Sequence, residues 1–250
     1  MGSQARRYVL IAVVGAAIIA LVAVAGPYVS LWYAKRQAWE QIANRPLVHK
    51  ATLNCVPVRE VRRITTPLSG ARRISCEVGG YRLSLPDAEF RPAADANDGF
   101  EGGKLTVHCA GIAPCLPEFS PQTQPSDESI RAYFRQADPY DLLVEAFRAT
   151  PAGIRNQDSH VGLRKHLYLL LLKSARQPVG SEKLLECFET DRRKGVLAGD
   201  MTSESVIALV YLPETRDLAE LVITKRNDDV RMSAVYRFLG LLKIDKAPAK

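Results

Sequence analysis

Between Val9 and Tyr33 the sequence VLIAVVGAAIIALVAVAGPYVSLWY carries a single polar residue, Ser30, apart from its aromatic rings. As a helix rising about 1.5 Å per residue it is about 37 Å long. A bilayer core of about 30 Å is crossed by about twenty apolar residues, so this stretch is long enough to span with some tilt. Tyr8 stands at one end and Tyr28, Trp32 and Tyr33 at the other, where amphipathic rings favour the lipid–water interface. The sequence therefore predicts a short tail at 1–8, a transmembrane anchor at 9–33 and a juxtamembrane stalk at 34–50. In the stalk Trp39, Ile42 and Ala43 have helical spacing until Pro46.

A cleaved signal peptide is the rival reading, with Ala23-Val24-Ala25 as a small-x-small cleavage site. The apolar run before that site is longer than the usual h-region of about 7–15 residues, and apolar character continues past Pro27, so a retained anchor is favoured. Basic residues flank both ends (Arg6 and Arg7, then Lys35 and Arg36), and the positive-inside rule does not decide orientation. The short N-terminal tail resembles a signal anchor, which places the soluble domain outside the cytoplasm.

The net charge of +7 is unevenly spread. Residues 1–50 hold Arg6, Arg7, Lys35, Arg36, Arg45 and Lys50 against Glu40, a net +5. Residues 51–75 hold Arg59, Arg62, Arg63, Arg72 and Arg73 against Glu60, a net +4, so the remainder sums to −2. A nucleic-acid binder concentrates basic charge on its folded domain. Here the charge lies close to the anchor, where anionic headgroups could attract it; charges that merely flank an anchor and keep the surface soluble are the favoured reading, and the expected partners are the bilayer and a protein, not nucleic acid.

From Ala51 the periodicity changes to two, in Leu53, Cys55 and Pro57, then Ile74, Cys76 and Val78, then Tyr81, Leu83 and Leu85, with Gly79-Gly80 as a hairpin turn. Leu105, Val107 and Cys109 resume the alternation, so 51–110 reads as a β-rich segment. Four prolines make 111–126 a linker or long loop. In 127–250, Asp138-Pro139 is an N-cap and N1 pair, Thr150-Pro151 repeats that signal, and Asp158 or Ser159 opens a longer helix. Val161, Leu163, Leu167, Leu170 and Leu171 of that helix can share a buried face. Lys183–Thr190 reads as a strand, Val206–Leu212 and Leu218–Lys225 as a hairpin, and Asp228 or Asp229 as the cap of a last amphipathic helix. The order strands, helices, strands, helix implies an α+β fold with an antiparallel sheet packed by helices, 51–110 and 127–250 forming one domain.

YRLSLPDAEF followed by helices, then KGVLAGD, two strands and an amphipathic C-terminal helix, resembles the layout of PsbP-like α/β/α domains over roughly residues 80–244. The resemblance implies a non-catalytic sandwich that works by binding partners.

Five cysteines are the first candidates for chemistry. Cys55, Cys76 and Cys109 fall on the apolar phase of β patterns, Cys115 follows in the Pro-rich loop, and Cys187 adjoins Phe188. In an oxidising compartment Cys55–Cys76 and Cys109–Cys115 are one disulfide pairing among several; reduced buried thiols are the alternative. No Cys-x-x-Cys is present, and the spacing is wrong for a zinc site. His49, His108, His160 and His166 are dispersed, and His108 and Cys109 point to opposite faces of a strand. Asp127-Glu128 and Asp228-Asp229 precede helices, where acids complement the dipole. Arg192-Arg193-Lys194 reads as a solvated tip. There is no nucleophile elbow and no phosphate loop. The sequence thus names no catalytic, metal or cofactor residue. It points to a membrane-anchored binding or interaction module. The alternatives are a structural subunit assembling through small residues such as Gly15, Ala16, Ala17 and Ala20, and a thiol enzyme built on Cys109, Cys115 and His108.

Overall fold

A computed structural model describes residues 25–40, 58–65, 72–93, 99–116, 128–226 and 230–248. Helix α1 occupies 25–40. Six strands follow: β1 (Arg59–Ile64), β2 (Arg73–Val78), β3 (Tyr81–Pro86), β4 (Phe90–Pro92), β5 (Gly99–Gly102) and β6 (Leu105–Pro114). Helices α2 (Glu128–Gln136), α3 (Pro139–Arg148) and α4 (His160–Arg176) come next, with a 3₁₀ turn at Pro151–Asn156 between the last two. The chain closes with β7 (Leu185–Thr190), β8 (Lys194–Ala198), β9 (Val206–Leu212), β10 (Asp217–Lys225), α5 (Met232–Leu241) and β11 (Lys243–Lys246).

The main sheet has the order β1-β7-β8-β9-β10-β6-β5-β4, and a second sheet has the order β11-β3-β2. Its centre is β9, VIALVYL, buried at every position. Period-two geometry sends its side chains alternately to opposite faces: Val206, Ala208, Val210 and Leu212 enter one core, Ile207, Leu209 and Tyr211 another. The first core is covered by α5 (Val235, Phe238, Leu239) and by β3 and β11 of the small sheet (Leu83, Leu85, Ile244). The second is covered by α3, through Tyr140, Leu143 and Phe147. On its far side α3 turns Leu142 and Ala146 toward Leu163, Leu169 and Leu170 of α4 in a third cluster.

The α+β class is as expected; the sheet is mixed rather than antiparallel. β1 lies parallel to β7, with Arg62 opposite Phe188 and Ile64 opposite Thr190, while the other neighbouring pairs are antiparallel. β1 and β7 are separated by most of the domain, which supplies the long crossover a parallel pair requires. Two further corrections concern segment limits. β6 runs four residues into the expected 111–126 linker, because Gly111 to Pro114 pair with Asp217 to Glu220 of β10. β11, unforeseen, adds to β3 directly after α5.

Local signals behave as their chemistry dictates. Gly79 and Gly80 have φ of +56° and +81° and turn β2 into β3. Asp138 Oδ1 accepts the Tyr140 and Asp141 amides at 2.9 and 3.2 Å, with Pro139 at N1. Ser159 Oγ accepts the Gly162 amide at 3.0 Å and opens α4. The buried face of α4 includes Leu163 and Leu170 as anticipated, but Val161 is exposed and Leu169, Leu172 and Lys173 are buried. Asp228 and Asp229 lie outside the described residues; Arg231 is the N-cap position of α5 and makes no side-chain cap.

Lys173 is 2% exposed, and its Nζ donates to Phe147 O at 3.0 Å and Ala149 O at 2.8 Å. These are carbonyls at the α3 C-terminus, which has none to receive from its own helix and where a cation complements the dipole. Lys173→Met should therefore destabilise the domain by about 2 kcal/mol, read as a lower urea midpoint with an unchanged m-value; an unchanged midpoint would refute the capping role.

Candidate functional site

The feature that sets this chain apart is how α1 meets the domain. Leu31, Ala34, Lys35 and Ala38, spaced i, i+3, i+4, i+7, form its inward stripe. Ala38 is buried among Leu142, Ala146, Ile154 and Leu163, with Leu31 and Ala34 packed beside it. Polar contacts fix the register. Ser30 Oγ and His160 Nε2 are 3.2 Å apart, Lys35 Nζ donates to Arg155 O at 2.9 Å, and the Arg155 guanidinium lies 5.1 Å from the Trp39 ring. The outward face shows Tyr28, Val29, Trp32 and Tyr33, all more than half exposed, with Trp39 beside them. Arg36 stacks over Trp32 at 5.9 Å and pairs with Glu40 at 3.0 Å. Between α1 and the 3₁₀ turn, Trp32, Lys35, Arg36, Trp39, Ile154 and Arg155 line an open cleft of about 490 Å³. The stalk helix was expected around Trp39, Ile42 and Ala43. Trp39 instead faces outward, and the other two lie outside the described residues. Among the described residues no helix is long and apolar enough to cross a membrane; residues 9–24 of the expected anchor lie outside them.

Two charged clusters staple the domain. Glu186, on β7, is 3% exposed; its Oε1 accepts from Arg62 Nε of β1 at 2.7 Å, and its Oε2 from the Tyr236 hydroxyl of α5 at 2.8 Å. Arg62 also covers the Tyr236 ring at 4.4 Å. Burial, then the bond to Glu186, pushes the Tyr236 phenol up to about 12. On the opposite face Lys194 lies 4.5 Å from the Tyr140 ring and pairs with Asp138 at 3.5 Å, while the Tyr140 hydroxyl donates to Gly195 O at 2.8 Å. Residue 195 must be glycine, since a Cβ there would lie 2.3 Å from Leu209 O.

The candidate residues from the sequence are scattered. Cys109 lies in the first core and Cys115 in the second, so the two ends of the small loop they were expected to close lie on opposite faces of the sheet. Cys76 packs against the first core, and Cys55 lies outside the described residues. Burial pushes the Cys115 thiol up to about 12 and also raises Cys187, the reverse of what a nucleophilic thiolate needs. His166 meets Thr150 O at 2.7 Å and His160 meets Ser30. No group of three His, Cys, Asp or Glu among the described residues could hold a metal ion. The expected solvated tip is half wrong: the Arg193 side chain is 12% exposed and bonds both Glu214, at 2.9 Å, and Ile244 O. Comparison with protein families, with curated proteins and with solved structures finds no match.

Breaking the Glu186 cluster should be costly. Arg62→Ala leaves a buried carboxylate with one partner fewer, worth about 2 kcal/mol once the partial exposure of Arg62 is discounted, whereas Glu186→Gln, which keeps hydrogen-bonding capacity, should cost less; equal losses in chemical denaturation would contradict this. Acid should loosen the edges first. The bond from Arg193 holds the Glu214 carboxyl below the usual carboxylate range, and Arg237 does the same for Glu89. A folded pKa below the unfolded one means the contribution is complete above about pH 4.5 and disappears as pH falls through the folded value. Glu214→Gln should therefore flatten part of the loss of thermal stability below pH 4.5 and leave the slope above pH 6 unchanged.

Proposed function

We propose that this protein is a single-pass membrane protein whose α+β domain is a binding module held directly against the bilayer. The observation that carries the proposal is the outward face of α1. Tyr28, Trp32, Tyr33 and Trp39 are exposed rings beside Arg36 and Arg155, the mixture that suits an interface with anionic headgroups. Exposed rings in such number on a docked helix are costly in water and favourable at that interface. Among the described residues, side-chain hydrogen bonding of α1 to the domain begins at Ser30, so the proposed span ends before it. Val9 to Tyr28 is twenty residues, about 30 Å of helix, which matches a bilayer core. In this reading the span ends near Tyr28, five residues before Tyr33, and no free stalk separates membrane from domain. A signal-anchor orientation places the domain outside the cytoplasm. The PsbP-like layout read from the sequence implies a role in binding rather than catalysis.

The test is alkaline extraction of membranes followed by protease treatment of sealed spheroplasts. The reading predicts that the full chain stays in the membrane pellet at pH 11 and that external protease degrades the domain. Release into the supernatant would defeat the anchor; full protection in spheroplasts, with digestion after lysis, would reverse the orientation. Trp32→Ala with Trp39→Ala should leave extraction unchanged and raise the exposure of a probe at position 36 to aqueous quencher.

A further inference from the structure

β5 pairs with β6 only from Leu105 to His108, so among the described residues Ala110 to Pro114 have β10 on one side and no strand on the other. A bulge sits at this place: Glu220 opposes Gly111 and Leu221 opposes Cys109, leaving Ala110 as the extra residue. The extra residue keeps Ile112 against the first core, where Cys109 also lies, and turns Gly111 and Ala113 to the opposite face. Cross-strand rows on that face run Leu209–Glu220–Gly111 and Tyr211–Leu218–Ala113. Small residues in both rows leave a hollow of about 340 Å³, floored by Leu209 and Leu218 and walled by Arg176, Gln177 and Val179.

Among the described residues, two polar atoms in this wall are buried without a partner, Arg176 Nε and Gln177 Oε1. Their neighbours are engaged: Arg176 Nη2 donates to Pro114 O at 2.5 Å, and Gln177 Nε2 donates to Ser181 Oγ at 2.7 Å. The wall thus asks for one acceptor and one donor from adjacent residues. A buried orphan costs about 1–3 kcal/mol, and one residue of an extended strand turns its N–H and C=O to the same side, so it can supply both partners. An open strand edge wants the same groups.

We propose that the β6 edge at 110–114 is a docking site for an extended peptide of a partner protein, which adds a strand beside β6 and places an apolar side chain over Gly111 and Ala113 while its backbone meets Arg176 and Gln177. Main-chain bonds supply affinity and the hollow supplies selectivity, as in other strand additions. The edge segment AGIAP carries no charge that would repel an incoming strand, and pairing is confined to the short stretch between the bulge at Ala110 and Pro114, which has no N–H to give. This deepens the binding half of the functional reading and is independent of the tether.

The test uses the full chain in detergent micelles and a phage-displayed library of ten-residue peptides. Selected peptides should slow backbone amide exchange at residues 110–113 and lose binding when one central amide is N-methylated. Gln177→Leu should weaken them about tenfold, and Ala113→Phe, which fills the hollow, should abolish them without lowering the melting temperature. Selection of no peptide, selection of peptides that protect another strand, or equal binding by the N-methylated form would overturn the proposal. So would Gln177→Leu binding as tightly as the unaltered chain, which would mean that the orphan atoms are served by water alone. None of these failures would bear on alkaline extraction, so the tether and the docking site fall separately.

Discussion

A sheet whose central strand is apolar on both faces must be covered twice, and the rest of the fold follows from that demand. Burying one large aliphatic side chain is worth about 1.5–3 kcal/mol, and β9 alone sends seven residues into two separate cores. On one face α5 and the small sheet suffice. On the other, α3 is the cover, and it is itself apolar on two sides: Leu143 and Phe147 face the sheet, and Leu142 and Ala146 face away. That second face draws in α4, and the hollow between α3, α4 and the 3₁₀ turn draws in Ala38 of α1. The position of the N-terminal helix is therefore the last consequence of the composition of the sheet.

This layering gives the two ends of the molecule different characters. The α1 side presents aromatic rings and cations on a docked helix. The β6 edge presents uncharged backbone beside a wall in which, among the described residues, two polar atoms lack partners. In the proposed reading the first faces lipid and the second a protein chain. The charged clusters, Arg62–Glu186–Tyr236 and Asp138–Lys194–Tyr140, lie on opposite faces of the sheet and tie layers together.

Much of this was legible because local chemistry and global packing agree. Asp138-Pro139 can open a helix in almost any context, Gly79-Gly80 can turn a hairpin, and the alternation in β10 marks its buried face. What the sequence hid has physical causes. β1, REVRRI, is an edge strand with Ile64 as its one fully buried apolar side chain among those described, so no apolar alternation marks it within the β-rich segment. The bulge at Ala110 breaks the alternation of β6 where prolines begin, which made 111–114 look like linker. The docking stripe Leu31, Ala34, Lys35, Ala38 overlaps a run in which nearly every residue is apolar, and a helix apolar all round shows no preferred face. Arg193 looks like a surface charge until Glu214 and the carbonyl of Ile244 are brought to it from elsewhere in the chain. Orphan atoms such as Arg176 Nε and Gln177 Oε1 exist only in three dimensions.

The central claim is that α1 is clamped to the domain, with no flexible stalk between bilayer and fold. Spin labels at Val29 and Val161, both exposed and near the Ser30–His160 contact, would report it directly in the full chain reconstituted in nanodiscs. The account predicts one short, narrow distance distribution that survives reconstitution. A broad distribution, or one that lengthens on insertion into lipid, would show that the helix swings free of the domain and would contradict the account.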